Sequence, residues 1–439
     1  MNGPRRAVVV ALLLLLVGCA QAPPPPFVPR EEPPAVDVDP AAPCTRESSE
    51  PPSADTTVPA ARQVVVDPAT GRIVLGAGPA VSLPALARAL DDPVLLRETE
   101  PGRWLLNADL EVGPGASLIV AAPAVRRLDL GGAAGRFVAV RVLGGALAVT
   151  GTCVTSWDET AGRADTEPSD GRSFLLARDG ATMNVDRAEL RFLGFGDVES
   201  YGLAWRTAGT TGRLTDSVVS HLYFGLYTYE VGGLVVTGNE VYSNLVYGID
   251  PHTGSHDLVI TGNVVHDNGK HGIILAEDCV DSVIADNVVY RNQQHGIVLY
   301  QRSDRNVVER NESFDNVSQG ININESSDNT VRDNRVYGNA ESGIGVAQTS
   351  TGNVLERNDI RDNEQDGVRL VSQSQQTTVR DNTIGGNVRY GVYIDGDESY
   401  DMTGNTIFGS RYGIATEGDA PIADNTLFGH AEGDVRGED

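Results

Sequence analysis

A repeat of about 24 residues constrains the fold of this chain more than any other feature. A glycine that opens a short run of β-forming residues recurs nine times, at spacings of 22 to 24 residues. These glycines are Gly225, Gly248, Gly272, Gly296, Gly320, Gly343, Gly367, Gly391 and Gly413. A turn asparagine keeps the same phase at Asn239, Asn263, Asn287, Asn311, Asn334, Asn358, Asn382, Asn405 and Asn425. Two series in phase over nine repeats predict a solenoid in which each repeat forms one coil.

The residues after each glycine predict which side chains face the interior. One position past the glycine, every repeat has an aliphatic residue, and three positions past it most repeats have another. Because side chains alternate along a strand, these positions fill the bore, and positions two and four face outward. The sequence therefore predicts an all-β fold, a single-stranded right-handed parallel β-helix. Stacked asparagines at its corner are expected to hydrogen-bond along the axis, which is a structural role.

The N-terminus has the pattern of an exported lipoprotein. Arg5 and Arg6 precede an apolar run from Ala7 to Val17, and a glycine separates this run from Cys19. A basic start followed by a short apolar segment is an export signal and is too short for an ordinary membrane span. We predict a signal peptide at 1–18, a lipid on Cys19, and a protein anchored to the cell envelope on the periplasmic or outer face of a membrane.

Composition divides the remaining chain into four parts. Residues 19–61 are rich in Pro, Ala and acidic residues, which predicts a disordered linker. Residues 62–152 are expected to form an N-terminal cap and the first coils, with a capping helix at Ser82–Leu90. The repeats occupy 153–430, and an acidic tail follows at 431–439.

Three cysteines remain after the predicted lipidation site: Cys44, Cys153 and Cys279. Export makes a disulfide possible, but three cysteines cannot all pair within one chain. Since Cys44 lies in the predicted linker, Cys153 and Cys279 are the pair that could form a disulfide within the β-helix. The spacing does not support it, so the pairing stays open.

The formal net charge of −26 restricts the possible partners. It argues against nucleic acid and favours a soluble monomer. An anionic polymer can bind only if the groove is locally less acidic than the chain as a whole.

Five of the seven histidines lie between His252 and His295. His252 is four positions past its glycine, so we expect its imidazole to face outward beside Asp250 and next to Tyr229. Such an imidazole is suited to proton transfer near neutral pH. His271 and His295 directly precede their glycines, as do Tyr247, Gln319 and Tyr390, and we expect turn residues there. His256 and His266 are expected in loops or turns at a groove edge.

Several motifs in this region resemble those of the periplasmic mannuronan C5-epimerases of alginate-producing bacteria. The matching segments are Tyr247-Gly248-Ile249-Asp250-Pro251-His252, Ser255-His256, Lys270-His271-Gly272-Ile273-Ile274, Leu222-Tyr223-Phe224-Gly225-Leu226-Tyr227-Thr228-Tyr229-Glu230, Thr155-Ser156-Trp157-Asp158-Glu159, Arg172-Ser173-Phe174-Leu175 and Ser200-Tyr201-Gly202. The similarity covers roughly 100–350. It implies a β-helix that inverts C5 of mannuronate within a polymer, with His252 as the base and water as the acid.

Two departures from the family pattern affect this interpretation. Thr253 and Gly254 follow His252, where the family has Asp-Arg. The family's carboxylate-neutralising arginine corresponds here to Glu277. Arg302, one coil further on, is a candidate replacement. No cofactor or metal is expected otherwise, but a Ca²⁺ held by Asp250, Glu277 and Asp278 is an alternative, since calcium binds clustered carboxylates.

The leading hypothesis is an isomerase, a C5-epimerase of mannuronate in an anionic extracellular or periplasmic polysaccharide. In it, Asp250 orients His252, and Tyr229 and Tyr300 donate a proton or position water. The candidate sugar contacts are Lys270, Arg302, His256, Tyr227, Asn322 and Asn324. Two alternatives are a glycan-binding β-helix without turnover, favoured by the missing arginine and the acidity, and a polyuronate lyase that uses the same base for β-elimination.

Overall fold

The structure, a computed structural model, describes residues 27–31, 37–45, 59, 63–132, 135–395, 400–416 and 424–437. The predicted signal peptide and Cys19 lie outside the described residues. The described residues divide into two units between residues 38 and 39, and every element named below belongs to the second. Within the described ranges, no helix is both long and apolar enough to cross a membrane.

The second unit is a parallel β-helix whose coils stack into three sheets, so the predicted fold class is confirmed. Sheet A contains Val64–Val66, Ile73–Leu75, Leu110–Val112, Ala139–Leu143, Phe174–Arg178, Gly202–Arg206, Phe224–Tyr229, Ile249–His252, Ile273–Ala276, Ile297–Tyr300, Ile321–Asn324, Ile344–Ala347, Val368–Leu370, Tyr390–Ile394, Tyr412–Thr416 and Gly433–Gly437. Sheet B contains Val81–Ser82, Ser117–Ala121, Ala146–Thr150, Thr182–Asp186, Thr211–Thr215, Val235–Thr237, Val259–Thr261, Val283–Ala285, Val307–Glu309, Thr330–Arg332, Val354–Glu356, Thr378–Arg380 and Asp401–Thr403. Sheet C contains Leu96–Glu100, Arg103–Leu106, Arg127–Gly132, Cys153–Asp158, Arg163–Ala164, Glu189–Arg191, Val218–Ser220, Glu240–Tyr242, Val264–His266, Val288–Tyr290, Glu312–Phe314, Arg335–Tyr337, Asp359–Arg361, Thr383–Gly385, Thr406–Phe408 and Thr426–Phe428.

Aliphatic side chains fill the bore, as the alternation predicts. Ile249, Ile273, Ile297 and Ile321 lie in consecutive strands of sheet A, pair with one another in register and are fully buried. Burying such a side chain contributes about 1.5–3 kcal/mol relative to leaving it exposed. Positions two and four past each glycine therefore form the outer face of sheet A.

The asparagine ladder is present, and a second ladder runs parallel to it. In the predicted ladder, Asn263 donates from Nδ2 to Oδ1 of Asn287 at 2.9 Å, and Asn287 donates to Asn311 at the same distance. The second ladder, which we did not predict, contains Asn244, Asn268, Asn292, Asn316, Asn339, Asn363 and Asn387. In both ladders each amide also bonds backbone groups of neighbouring coils, so buried turn groups are satisfied and the stacking register is held.

A helix covers the N-terminal end of the solenoid. It spans Leu83–Leu90, and Ser82 is its N-cap, accepting a hydrogen bond from the Ala85 amide at 3.3 Å. Its apolar residues Leu83, Ala85 and Leu86 are fully buried in the core. The helix therefore shields the end of the core from water, as a cap should.

Part of the predicted linker is ordered, which corrects the sequence-based interpretation. Cys44 forms a disulfide with Cys153, and Cys279 is a free, buried thiol, so of the pairings left open by the sequence the Cys153–Cys279 disulfide does not form. The Thr45 amide and hydroxyl bond the Glu189 carboxylate at 3.0–3.3 Å. A covalent link and charge-assisted hydrogen bonds replace the apolar burial that this stretch lacks.

Part of the acidic tail at 431–439 forms a strand, which the sequence analysis did not predict. Gly433–Gly437 forms a strand that pairs in parallel with Tyr412–Thr416 at the C-terminal end of sheet A. Backbone pairing requires no apolar side chains, so composition did not reveal it.

We expect Asn287→Ala to lower the free energy of unfolding by roughly 2–4 kcal/mol, because it leaves two donors of Asn263 and the Ile260 carbonyl buried without partners. Thermal or denaturant unfolding followed by circular dichroism measures this. The control is Gln293→Ala, at an exposed position beside the second ladder. Equal stability of the two variants would contradict a structural role for the ladder.

Candidate functional site

A cavity of about 340 Å³ lies on the outer face of sheet A, over the coils that carry the predicted site. Its lining combines titratable, aromatic and small apolar side chains. The lining residues are Tyr247, Asp250, His252, His271, Ile274, Ala276, Glu277, His295, Val298, Tyr300, Asn322 and Asn324. A larger cavity of about 550 Å³ lies beside the capping helix, but no histidine or tyrosine lines it among the described residues.

Strand register places an imidazole and a phenol on two sides of the first cavity. His252 pairs with Ala276 in the next coil, and Ala276 pairs with Tyr300. Two strand spacings separate the His252 and Tyr300 backbones by about 10 Å. Because only the methyl group of Ala276 stands between them, the imidazole and the phenol border an open space.

The imidazole of His252 is held by a relay to Glu277. Nδ1 of His252 lies 2.7 Å from Oγ1 of Thr253, and that hydroxyl donates to Oε2 of Glu277 at 2.9 Å. Since the single hydroxyl proton points to the carboxylate, Nδ1 of His252 must be the donor to Thr253. This tautomer leaves the lone pair of Nε2 free to accept a proton.

The backbone of Thr253 has a conformation that supports this relay. Its φ of +24° is rare for a β-branched residue and is a local strain. The strained turn brings the hydroxyl back toward its neighbour in sequence while Glu277 lies one coil away. Thr253 was not among the predicted site residues, because a turn threonine alone carries no such signal.

Burial lowers the pKa of His252 below its ordinary value of 6.5, Glu277 opposes this shift, and Arg206 adds to it. The side chain is 27% exposed, so solvent and ligands reach it. The lowered pKa keeps the imidazole neutral near pH 7, which is the form that a base requires.

His271 and His295 lie in the turns before their strands, as predicted, and they also line the cavity. His271 stacks between Tyr247 and His295, with ring centroids 5.2 Å apart on both sides. Nδ1 of His271 accepts from the His295 amide, and Nδ1 of His295 accepts from the Gln319 amide. Burial lowers the pKa of His271 to about 3 and that of His295 to about 4. Both rings are therefore neutral and carry their proton on Nε2, as hydrogen-bond donors.

Asp250 differs from its predicted role. Its side chain lines the cavity but is only 1% exposed, and neither carboxyl oxygen has a hydrogen-bond partner in the described part of the chain. It cannot orient His252, whose Nδ1 bonds Thr253. Burial, with a contribution from Glu277, raises the pKa of Asp250 well above its ordinary value, which favours the neutral acid.

The rings of Tyr229 and Tyr227 contact the guanidinium of Arg206, a cation that the sequence analysis did not identify. Tyr229 pairs with His252 and with Arg206, whose guanidinium lies 4.7 Å from the Tyr229 ring and 5.2 Å from the Tyr227 ring. Tyr227 is buried, with its ring 5.7 Å from that of His252. Arg206 is 9% exposed and its Nη1 has no partner in the described structure. Extending the glycine series back 23 residues to Gly202 would have placed Arg206 in the row of His252.

The structure places Arg302 and Asp278 away from the cavity, which corrects two predictions. Arg302 forms a bidentate pair with Asp278 at 2.7 and 2.8 Å in the turn beyond the strand, where both side chains are at least half exposed. It is therefore not positioned to neutralise a sugar in the cavity. The three carboxylates of the calcium alternative do not converge either, since no three His, Cys, Asp or Glu side chains form a metal-holding cluster among the described residues.

His256 and His266 do not line a groove edge. His256 is exposed and bonds Asp257 at 2.7 Å, on the turn that leads to sheet B. His266 is buried on sheet C, stacked between Tyr242 and Tyr290 with ring centroids 5.1 and 4.8 Å away. His266 is therefore part of a stack of aromatic rings on sheet C, away from the cavity on sheet A.

The remaining predicted sugar contacts lie at the cavity. Asn322 and Asn324 line it, and Asn322 donates to Oε1 of Gln319 at 2.6 Å. Lys270 is exposed at the rim, where its Nζ lies 5.5 Å from the centre of the Tyr247 ring. These residues add a cation and amide groups to a site otherwise rich in aromatic rings.

Comparison with characterised proteins finds relatives of one enzyme class. The mannuronan C5-epimerase of Pseudomonas fluorescens is 35% identical over 176 residues, covering 37% of this chain and 32% of the relative. That of Azotobacter vinelandii is 33% identical over 174 residues, with the same two coverages. The chain thus matches about a third of the length of these relatives. The resemblance found in the motifs is confirmed.

Comparison with solved structures and family descriptions agrees on the fold. The periplasmic alginate epimerase AlgG superposes with a TM-score of 0.68 at 24% identity, covering 84% of this chain and 86% of that one. Residues 283–428 match the family described as "Right handed beta helix region", which supports the predicted handedness. Residues 196–316 match "Periplasmic copper-binding protein (NosD)". The described residues do not fit copper, since no metal-binding cluster forms among them.

A nuclear magnetic resonance titration of the imidazoles tests the site electrostatics. We expect His252 to carry its proton on Nδ1 and to titrate below 6.5. Glu277→Gln should lower this pKa further, because it removes a negative charge that stabilises the imidazolium. Arg206→Gln should raise it. His271 and His295, with pKa values of about 3 and about 4, serve as internal references that stay neutral. An Nε2-protonated His252 would contradict the relay.

Proposed function

We propose that this chain is a C5-epimerase that inverts mannuronate residues within an anionic polysaccharide. The observation that carries the proposal is the pairing of His252 and Tyr300 across an open cavity floored by Ala276. Inversion requires a proton to leave one face of C5 and another to arrive at the opposite face. A base and a donor on two sides of a sugar-sized space meet this requirement.

In the first step, Nε2 of His252 takes the C5 proton. The C–H bond breaks, and its electron pair delocalises onto the adjacent carboxylate as an enolate-like anion. Glu277 and Thr253 hold the ring in the required tautomer and stabilise the imidazolium that forms, the role an acidic partner has in a catalytic triad. Glu277 thus supports the base from the position at which the family has a cation.

The charge that develops on the sugar carboxylate needs donors. The Nε2–H groups of His271 and His295 are neutral donors on the cavity wall, and Lys270 supplies a positive charge at the rim. Arg206 adds a second, less exposed cation behind Tyr229. Preorganised donors in a partly dehydrated site stabilise such a charge more strongly than water does.

In the second step, C5 receives a proton on the opposite face, either from the Tyr300 phenol or from a water that it holds. The sugar anion is discharged with inverted configuration. The phenolate or hydroxide left behind regains a proton from solvent and the His252 imidazolium releases one to solvent, so both groups return to their starting protonation states. If the 4-O-linked sugar leaves instead, the same base produces an unsaturated end, which is the lyase outcome.

We also propose that the protein is exported and lipid-anchored through Cys19, where an extracellular or periplasmic polysaccharide is available. Cys19→Ser is expected to release the protein from the membrane fraction into the soluble fraction of the cell envelope, because a covalent lipid is the proposed anchor. Fractionation with metabolic lipid labelling measures this. Membrane retention of the variant without label would contradict the anchor.

Turnover of polymannuronate in deuterated water, followed by proton NMR, tests the activity. We expect guluronate signals that lack the C5 proton. His252→Ala should abolish them, and Thr253→Val should reduce the rate about a hundredfold while Thr253→Ser retains most of it, because only the hydroxyl maintains the tautomer. Activity should fall as pH drops through the pKa of His252, below 6.5, since the protonated ring accepts no proton.

The Tyr300→Phe variant tests the proposed proton donor independently of the base, His252. We expect slower inversion with a retained pH profile on the acid limb, since His252 is unchanged. Unsaturated chain ends would replace the epimerase proposal with a lyase, and absence of any product at high enzyme would leave glycan binding without turnover. Undiminished activity of His252→Ala would remove that residue from the mechanism.

A further inference from the structure

We propose that sheet A carries a second anion-binding subsite near its C-terminal end, which holds a distant part of the same polyuronate chain. The proposal rests on the proposed function in one respect, the identity of the polymer. The subsite is a cavity of about 220 Å³ bordered by Arg369, Arg389, Tyr390, Tyr393 and Arg436. Of its lining in the described residues, three side chains are arginines and none is a carboxylate.

Strand register places this cavity along the same outer row of sheet A as the first one. Asn322, which lines the first cavity, pairs with Gly345, and Gly345 pairs with Arg369. The row continues through Tyr393 and Ala415 to Arg436. Asp250 occupies the same row five strand spacings before Arg369, a separation of about 24 Å. Several linked sugars cover that distance along the flat face.

The chemistry of the second cavity suits an acidic sugar. The Arg369 guanidinium lies 4.5 Å from the Tyr393 ring, and Arg389 lies 5.6 Å from the Tyr390 ring. Guanidinium groups bind carboxylates through paired hydrogen bonds, and tyrosine rings pack against the apolar face of a sugar. The combination of cations on aromatic rings recognises a uronate better than a neutral sugar.

The local charge balance distinguishes this cavity from the rest of the chain. Asp366 is fully buried beneath the cavity and pairs with Arg389 at 2.6 Å and with Arg369 at 3.0 Å. Arg436 is exposed and donates to the Tyr390 hydroxyl at 2.7 Å. Among the described residues that line or pair with this cavity, one carboxylate, that of Asp366, stands against three arginines, in a protein whose formal net charge is −26. An anionic polymer requires such a locally positive surface, because the remaining surface repels it.

The test compares binding of two mannuronate oligomers by isothermal titration calorimetry, with His252→Ala as the background that prevents turnover. One oligomer is too short to reach from residue 252 to residue 369, and the other spans both. We expect Arg369→Gln/Arg436→Gln to weaken binding of the long oligomer about tenfold, the loss expected for charge-assisted contacts at a partly exposed site, and to leave the short one unchanged.

The matched control is Arg310→Gln/Arg357→Gln, which removes the same charge at the corner between sheets B and C, where these arginines pair with Asp286 and Asp333. Thermal melting verifies that each variant is folded. If the double variant is unfolded, Arg436→Gln alone, at an exposed position, carries the test with a smaller loss. A neutral glucan of equal length serves as the ligand control and should not bind.

The outcomes separate the two proposals. Equal weakening by both double variants, no weakening by either, or no polyuronate binding at all overturns the second subsite. Polymannuronate that binds with the expected length dependence but is not converted by the protein with His252 intact overturns the epimerase proposal and leaves the subsite standing.

Discussion

The parallel register between coils is the constraint on which the other features of this molecule depend. Backbone hydrogen bonds and two asparagine ladders hold each coil over the next. This register converts a sequence separation of 24 residues into a spatial step of about 4.8 Å. His252, Ala276 and Tyr300 become neighbours for this reason alone, since no loop gathers them. The rigidity of the ladder also limits how far the two groups can move relative to each other.

His252 lies between one carboxylate and two cations. The Glu277 carboxylate accepts a hydrogen bond from the Thr253 hydroxyl, which in turn bonds His252. The nearby positive charges are those of Arg206 and Lys270, on either side of the histidine along the solenoid. Three effects act on the pKa of the His252 imidazole. Burial is the largest and lowers it, Glu277 raises it, and Arg206 lowers it further.

The sequence predicted periodic features well and non-periodic ones poorly. The glycine and aliphatic series predicted the solenoid, its bore and the outward direction of His252 and Tyr300. They did not predict that Cys44 binds Cys153, because a disulfide between a linker and a coil has no period. His271 and His295 were correctly assigned to turns, but the sequence did not predict that their stacked rings also line the cavity wall. Arg206 was missed because the repeat was counted from Gly225, and an irregular step in register follows Gly202.

Gly345 illustrates a consequence of building a groove from stacked coils. It lies midway between Asn322 and Arg369 in the outer row, and a Cβ there would lie within 2.8 Å of the Gln319 side chain. The coil that contains it contributes length to the groove and no charged group to that row. The distance between the two cavities at the ends of this row is therefore a whole number of coil spacings. Removing or inserting one coil would change that distance by one increment while leaving the chemistry at each end intact.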